Sequence, residues 1–309
     1  MFVVKYRKWF FALSLVLIGL SIYGIFTYKF NFSVDFKGGS VTEVRYGGEL
    51  PTQASIEEAV HKLSLGGISV RPSESDRYII RTRELTPEES TALLSSLPQD
   101  GEMAPTVERS NTVGPIAGME LKSKAVKAVA VVVIMIVLYI TFAFRKVSPP
   151  AGLGGQATLP TSWKYGFATV IALIHDVIVP TGIFVFLGHF YGFEIDLLFV
   201  SGLLAILGYS VHDTIVVFDR VRENLKINQT RHIVENFDET VGKSITQTIG
   251  RSINTSLTIF ITLIFLFFLG SSATHDFALL LIIGIIAGTY SSIFIASSLL
   301  VTFYKLQKK

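Results

Sequence analysis

Residues Leu197–Phe218, LLFVSGLLAILGYSVHDTIVVF, decide how the chain is read. The run is apolar and long enough to cross a bilayer, where a helix needs about 20 mainly apolar residues. One carboxylate, Asp213, stands inside it. A carboxylate at the centre of a spanning helix costs about 2.5–3.5 kcal/mol even on the lenient insertion scale. Such a group needs a partner, a water path or a proton. An acid that a proton can neutralise is also a machine part, because the membrane holds a proton gradient.

The rest of the composition agrees with a membrane setting. Of 309 residues, 50% are hydrophobic and 17% charged, against about 25% charged in an ordinary soluble domain. Mean hydropathy is +0.52. A net charge of +3 is too small to point to nucleic acid. The chain has no cysteine, which excludes disulfides and thiolate metal or redox chemistry. It carries neither H-E-x-x-H nor G-x-S-x-G, so no protease or hydrolase signature is present.

Six stretches are long and apolar enough to span: Trp9–Tyr28, Ala125–Phe144, Tyr165–Leu187, Ile195–Phe218, Ile253–Leu269 and Phe277–Tyr304. The first lacks a cleavage site and is too long for a signal-peptide core, so it reads as a retained anchor. Lysines and arginines fill alternate connections: Lys5, Arg7 and Lys8; Arg145, Lys146 and Lys164; Arg220 through Arg251; and Lys305, Lys308 and Lys309. The intervening short loops, Gly188–Glu194 and Gly270–Asp276, carry neither. That asymmetry predicts both termini in the cytoplasm.

The organisation expected is residues 1–28 as an anchor, 29–124 as an extracytoplasmic domain, and 125–309 as helices two to six. Within the outer domain, Asn31–Tyr46, Ile68–Arg71, Tyr78–Arg83 and Met103–Arg109 read as strands. Pro51–Leu65 and Thr86–Leu97 read as helices, the second with Thr86 as cap, Pro87 first and Glu89 three residues on. The order βαββαβ predicts a ferredoxin-like α+β fold. The fold class is thus a polytopic helical membrane protein carrying one small α+β domain. Asp35, Gly38 and Gly39 read as a turn at the domain entry, without a helix N-terminus that would make a phosphate cradle.

Polar stripes run inside the spans. Gly202, Tyr209, Ser210, Asp213 and Arg220 fall near one face of the fourth. Arg251, Asn254, Thr255, Thr258 and Thr262 line one face of the fifth, with Arg251 at its entrance. A connection of roughly 35 residues lets these helices lie antiparallel, with Arg251 at a depth like that of Asp213. A nearby guanidinium favours a charged carboxylate and burial favours a neutral one. Competition between them suits a proton carrier. The plainer alternatives are a structural acid that never titrates and an arginine that merely snorkels. Asp176, beside His175 and four residues before Pro180, is a second candidate proton site or a satisfied buried acid. Gly202, Gly208, Gly284 and Gly288 suit close helix packing.

Several blocks are familiar together: Val34-Asp-Phe-Lys-Gly-Gly39, Val113-Gly-Pro-Ile-Ala-Gly-Met-Glu-Leu121, Ala172-Leu-Ile-His-Asp-Val177, Gly208-Tyr-Ser-Val-His-Asp-Thr214 continuing to Asn224, Arg251-Ser-Ile-Asn-Thr-Ser256, and Gly284–Ala296. Through them the chain resembles the SecD/SecF family of protein-export subunits, its smaller branch in particular. The resemblance implies half of a twelve-helix body of the resistance-nodulation-division type, with SecD supplying the other half. It implies work in the cytoplasmic membrane beside the SecYEG channel, on an exported unfolded polypeptide, driven by the proton-motive force. No cofactor beyond the coupling proton, no enzyme activity and no metal are implied. It places the family's membrane acid on Asp213 and its arginine on Arg251. The alternatives are a proton-coupled small-molecule exporter half and a passive translocon scaffold. The Val147–Trp163 loop, with Pro149 and Pro150, is longer than the family pattern.

Overall fold

The computed structural model describes residues 2–48, 50–66, 68–73, 76–98, 105–144, 162–270 and 272–307. Most of the Val147–Trp163 loop lies outside the described residues. The chain divides into two compact units. One comprises Met1–Asn31, Ala128–Phe193 and Leu198–Lys309; the other comprises Phe32–Lys127 and Glu194–Leu197.

The first unit is helical. Six described helices are long and apolar enough to cross a membrane. They begin with α2 (Arg7–Tyr28), which follows a short α1 (Phe2–Lys5). α6 (Pro115–Ala143) enters from the second unit. α7 (Ser162–Tyr191), α8 (Leu197–Thr230) and α9 (Phe237–Leu269) follow. The last span is a continuous rod of α10 (Ser272–Tyr290), a π-helical segment at Ser291–Ala296 and α11 (Ser297–Gln307). The helices α7 and α8 and this rod form the buried middle, while α2, α6 and α9 are mostly uncovered.

Close helix approach depends on glycine at defined crossings. A Cβ at Gly182 on α7 would overlap both the backbone and the side chain of Ser21 on α2. On the last rod, a Cβ at Gly284 would overlap Ile206, and one at Gly202 on α8 would come to 2.7 Å from Leu280. Gly288 sits against Ser210. A Cβ on Gly208 would meet nothing within 4 Å, so among the described residues it packs against no other helix. At the other end of the core, Phe144 and Tyr165 stack at 5.1 Å, and Phe218 meets both edge-on.

The connection between the fourth and fifth spans differs from expectation. It is an extension of both helices, closed by the short segment between Thr230 and Phe237. The charges that suggested a loop lie on the outer faces of two amphipathic extensions. Their inner faces bury Val221, Asn224, Thr240, Val241 and Ser244. Asn224 Nδ2 donates to Ser244 Oγ at 2.8 Å and to Gln247 Oε1 at 2.8 Å, stitching the hairpin.

The second unit holds a four-stranded antiparallel sheet in the order β2-β3-β1-β4. Its strands are β1 (Gly39–Arg45), β2 (Ser69–Ser73), β3 (Arg77–Thr82) and β4 (Thr106–Val113). Helices α4 (Gln53–His61) and α5 (Pro87–Ser96) supply Ile56, Val60 and Leu93 to a core shared with Val44, Val70, Tyr78 and Ile80. Thr86 and Glu89 form the reciprocal cap of α5, as its sequence predicted.

The expected strand Asn31–Tyr46 begins later than read. Val34–Lys37 is one helical turn, α3, opened by the Ser33 hydroxyl, which accepts from the Asp35 amide at 3.2 Å. Gly38 (φ +79°) and Gly39 (φ +134°) then reverse the chain into β1. A Cβ on Gly38 would lie 2.7 Å from the Pro115 backbone, and one on Gly39 would lie 2.7 Å from the Thr82 carbonyl. The glycine pair thus sits where three backbone segments meet. The Asp35 carboxylate accepts from the Leu197 amide at 3.2 Å, at the first turn of α8.

Candidate functional site

α8 carries the site because its buried residues recur every three or four positions, from Phe199 to Asn224. That face includes Ser210, Asp213 and Thr214 among apolar neighbours. Polar groups at such positions must find partners inside the bundle.

Asp213 is 5% exposed. Ser252, on α9, donates its hydroxyl to Asp213 Oδ1. The other oxygen, Oδ2, is buried and has no hydrogen-bond partner among the described residues. Arg251 is exposed and makes no ion pair with Asp213. The pairing expected from sequence is therefore not formed in this structure. The reason is angular: Ser252, not Arg251, is the residue of α9 that faces α8. Arg220 also lies away from the acid, bound to Gln247 at 2.7 Å and Glu223 at 2.6 Å.

Asp176 is held quite differently. It is fully buried on α7. Its Oδ2 accepts from Ser210 of α8 and from Ser291 of the last rod, the latter at 2.8 Å. His175 Nδ1 lies 3.0 Å from Oδ1. Ser210 thus turns toward Asp176 and away from Asp213, although sequence spacing grouped it with the latter. The π segment makes this possible. It presents successive serines to two neighbours: Ser291 to Asp176, and Ser292 to the Ser210 carbonyl at 3.0 Å. Thr214 Oγ1 meets Ser292 Oγ at 2.8 Å.

A third cluster lies on the same side of α8 and α9. Tyr209 shares its hydroxyl with Ser256 and, at 3.2 Å, with Thr289. Ser256 and Thr289 lie 2.7 Å apart. Ser252, Ser256, Thr289 and Ser291 were not singled out from sequence as partners of the acids. Ser252 and Ser256 had a signal, a second small-polar register on α9 offset by one residue from the stripe that holds Arg251. Thr289 and Ser291 belong to the last rod, where only the small-residue stripe of Gly284 and Gly288 marked that face.

That Arg251 stripe is outside. Arg251, Asn254, Thr255, Thr258 and Thr262 are all exposed. Thr258 and Thr262 satisfy their hydroxyls on the carbonyls of Thr255 and Thr258. On α8 a second exposed line, Ser201, Ala205 and Gly208, is small enough for close helix approach. Among the described residues no group of three His, Asp or Glu side chains could hold a metal ion.

The family model described as "Protein export membrane protein SecD/SecF, C-terminal" matches residues 96–154 and 158–306, and that for the "SecD/SecF GG Motif" matches residues 23–48. The chain is 37% identical to the protein translocase subunit SecF of Thermobaculum terrenum, over 97% of this chain and 93% of that protein. It is 34% identical to the protein translocase subunit SecDF of Thermus thermophilus, over 96% of this chain and 38% of that longer protein. The crystal structure of SecDF from the same organism superposes with a TM-score of 0.79 at 32% identity, over 98% of this chain and 38% of that one. With both family models matched along it and SecF proteins aligned from end to end, the chain belongs to the SecD/SecF family of protein-export membrane proteins.

Proposed function

We propose that this accessory subunit of the protein translocase uses the proton-motive force to drive export, and that Asp213 is the group that takes and releases the proton. One observation carries the reading: a buried carboxyl with one donor on Oδ1 and, among the described residues, none on Oδ2. A bare carboxylate so placed leaves an oxygen unsatisfied, which is costly in a dry interior. A proton on Oδ2 removes the charge, and a cation brought to it satisfies the charge. Arg251 neighbours Ser252 in the chain but is turned outward here; a rotation of α9 is proposed to bring its guanidinium to the acid in the charged half of the cycle. The geometry described here suits the protonated half of the cycle. A proton falling through 100 mV releases about 2.3 kcal/mol, enough to bias an element whose states differ by a few kcal/mol. Asp176, bound by two serine hydroxyls and in contact with His175 Nδ1, serves as a second acid.

The partner is SecD, supplying the other half of a twelve-helix body. The SecDF chains that span both halves support this, as do the exposed polar stripe on α9 and the small-residue line on α8. Arg251 and Asn254 facing lipid would be unfavourable, and a partner helix would cover them. The outer unit is proposed to be ferredoxin-like, supported by its strand order and two helices, and to move an exported polypeptide released by SecYEG. Both termini are assigned to the cytoplasm from the lysine and arginine distribution.

The test is D213N in proteoliposomes carrying the complete translocase. Export should lose its stimulation by the proton gradient while the SecD complex still assembles. Export that stays fully sensitive to the gradient would remove Asp213 from the coupling.

A further inference from the structure

A second charged site, apart from the acids, gathers residues 4–9, Asp238 and Lys305. α1 folds back so that Val3 and Val4 join the core with Phe237 and Val301. The chain then turns at Tyr6, whose amide donates to the Phe2 carbonyl at 3.0 Å, before α2 begins at Arg7. Between this turn, the start of α9 and the end of α11 is a cavity of about 550 Å³. Lys5, Arg7, Lys8 and Lys305 line it, with Asp238 as its one carboxylate. Asp238 is already bound to Lys305. Lys5, Arg7 and Lys8 make no ion pair among the described residues. Three cations within four consecutive residues repel one another unless an anion lies between them.

Trp9 forms part of the lining and is 76% exposed. It stands on the first turns of a membrane span, the level at which tryptophan sits among lipid headgroups. Soluble phosphate alone would leave this indole without a function at the cavity rim. A phospholipid supplies both an anionic phosphate for the cations and an acyl chain for the apolar surface below. We propose that this cavity binds the headgroup of an anionic phospholipid. The site is independent of the proton-coupling reading and stands or falls separately from it.

Trp9 and Trp163 are the two tryptophans of the chain, so W163F leaves Trp9 as a single fluorescent reporter. The full-length W163F chain is reconstituted in phosphatidylcholine vesicles, and its quenching by brominated phosphatidylglycerol is compared with that by brominated phosphatidylcholine. The anionic lipid should quench at a several-fold lower mole fraction. Each basic residue near a membrane surface contributes roughly a fivefold factor in anionic-lipid affinity. K5Q/R7Q/K8Q in the same background should therefore abolish the preference, and K226Q, outside the cavity, should keep it. Equal quenching by the two lipids in the parent chain overturns the proposal without reference to any variant. Retained preference in the triple variant also overturns it. So does recovery of Trp9 emission on adding inorganic phosphate at constant ionic strength, which would assign the site to a soluble anion.

Discussion

Asp213 and Asp176 are both buried acids, yet their surroundings assign them different behaviour. Among the described residues, Asp213 has one donor and a second oxygen without a partner; Asp176 has two serines and a histidine. Removing a lone donor should matter more to function than removing one of three partners. S252A is predicted to weaken gradient-driven export by about tenfold, the effect of losing one hydrogen bond to a charged group. S291A should reduce it less, because Ser210 and His175 remain on Asp176. Equal losses in gradient-dependent translocation for both variants would contradict the distinction. At this scale the sequence showed which acids are inside a membrane, because hydropathy isolates them. It did not show which neighbours they face. Adjacent residues on a helix point about 100° apart, so Ser252 and Arg251 could not be told apart without the rotation of α9.

Among the elements, caps and turns were legible and helix ends were not. Thr86, Pro87 and Glu89 announced α5, and T86A should lower stability by about 1 kcal/mol in thermal unfolding. The helical extensions of α8 and α9 were hidden because their charges resemble a loop, although their inner faces keep helical spacing. Nothing in Ser291–Ala296 signals a π segment; its serines gain their meaning only from Asp176 and α8. The glycine pair makes a firmer case. G38A must place a Cβ against the Pro115 backbone at φ +79°. It should destabilise the outer unit by about 1–3 kcal/mol, read as a lower unfolding midpoint.

Glu194, joined to Arg81 at 2.9 Å, adds a pH dependence outside the membrane. Burial outweighs the pull of Arg81, Arg71 and Lys37, so its carboxyl titrates above its ordinary value of 4.5. The ion pair by itself would act the other way. The folded chain therefore binds this proton more tightly than the unfolded chain. The contribution favours folding below pH 4.5 and is lost as pH rises through the raised value. E194Q should flatten the stability slope across that window in thermal melts, and an unchanged slope would contradict it.

For the whole molecule, hydropathy and charge asymmetry gave six spans and one inserted α+β unit, since both are dictated by bilayer thickness and chain order. The sequence could not reveal that a polar stripe faces outward, because a stripe reads the same from either side. The exposed Arg251 line predicts a partner helix. The chain is free of cysteine, so a photocrosslinker on N254C can be placed without background. It should capture SecD within the membrane; capture of lipid alone would contradict the interface. One carboxyl, Asp213, is proposed to alternate between charged and neutral forms. Infrared titration of the reconstituted SecD-bound chain, in parent, D213N and D176N forms, tests it most directly. A protonated-carboxyl band that grows as pH falls, persists in D176N and vanishes in D213N is the predicted result. A band pattern identical in parent and D213N would show that Asp213 never exchanges its proton, and would contradict the account.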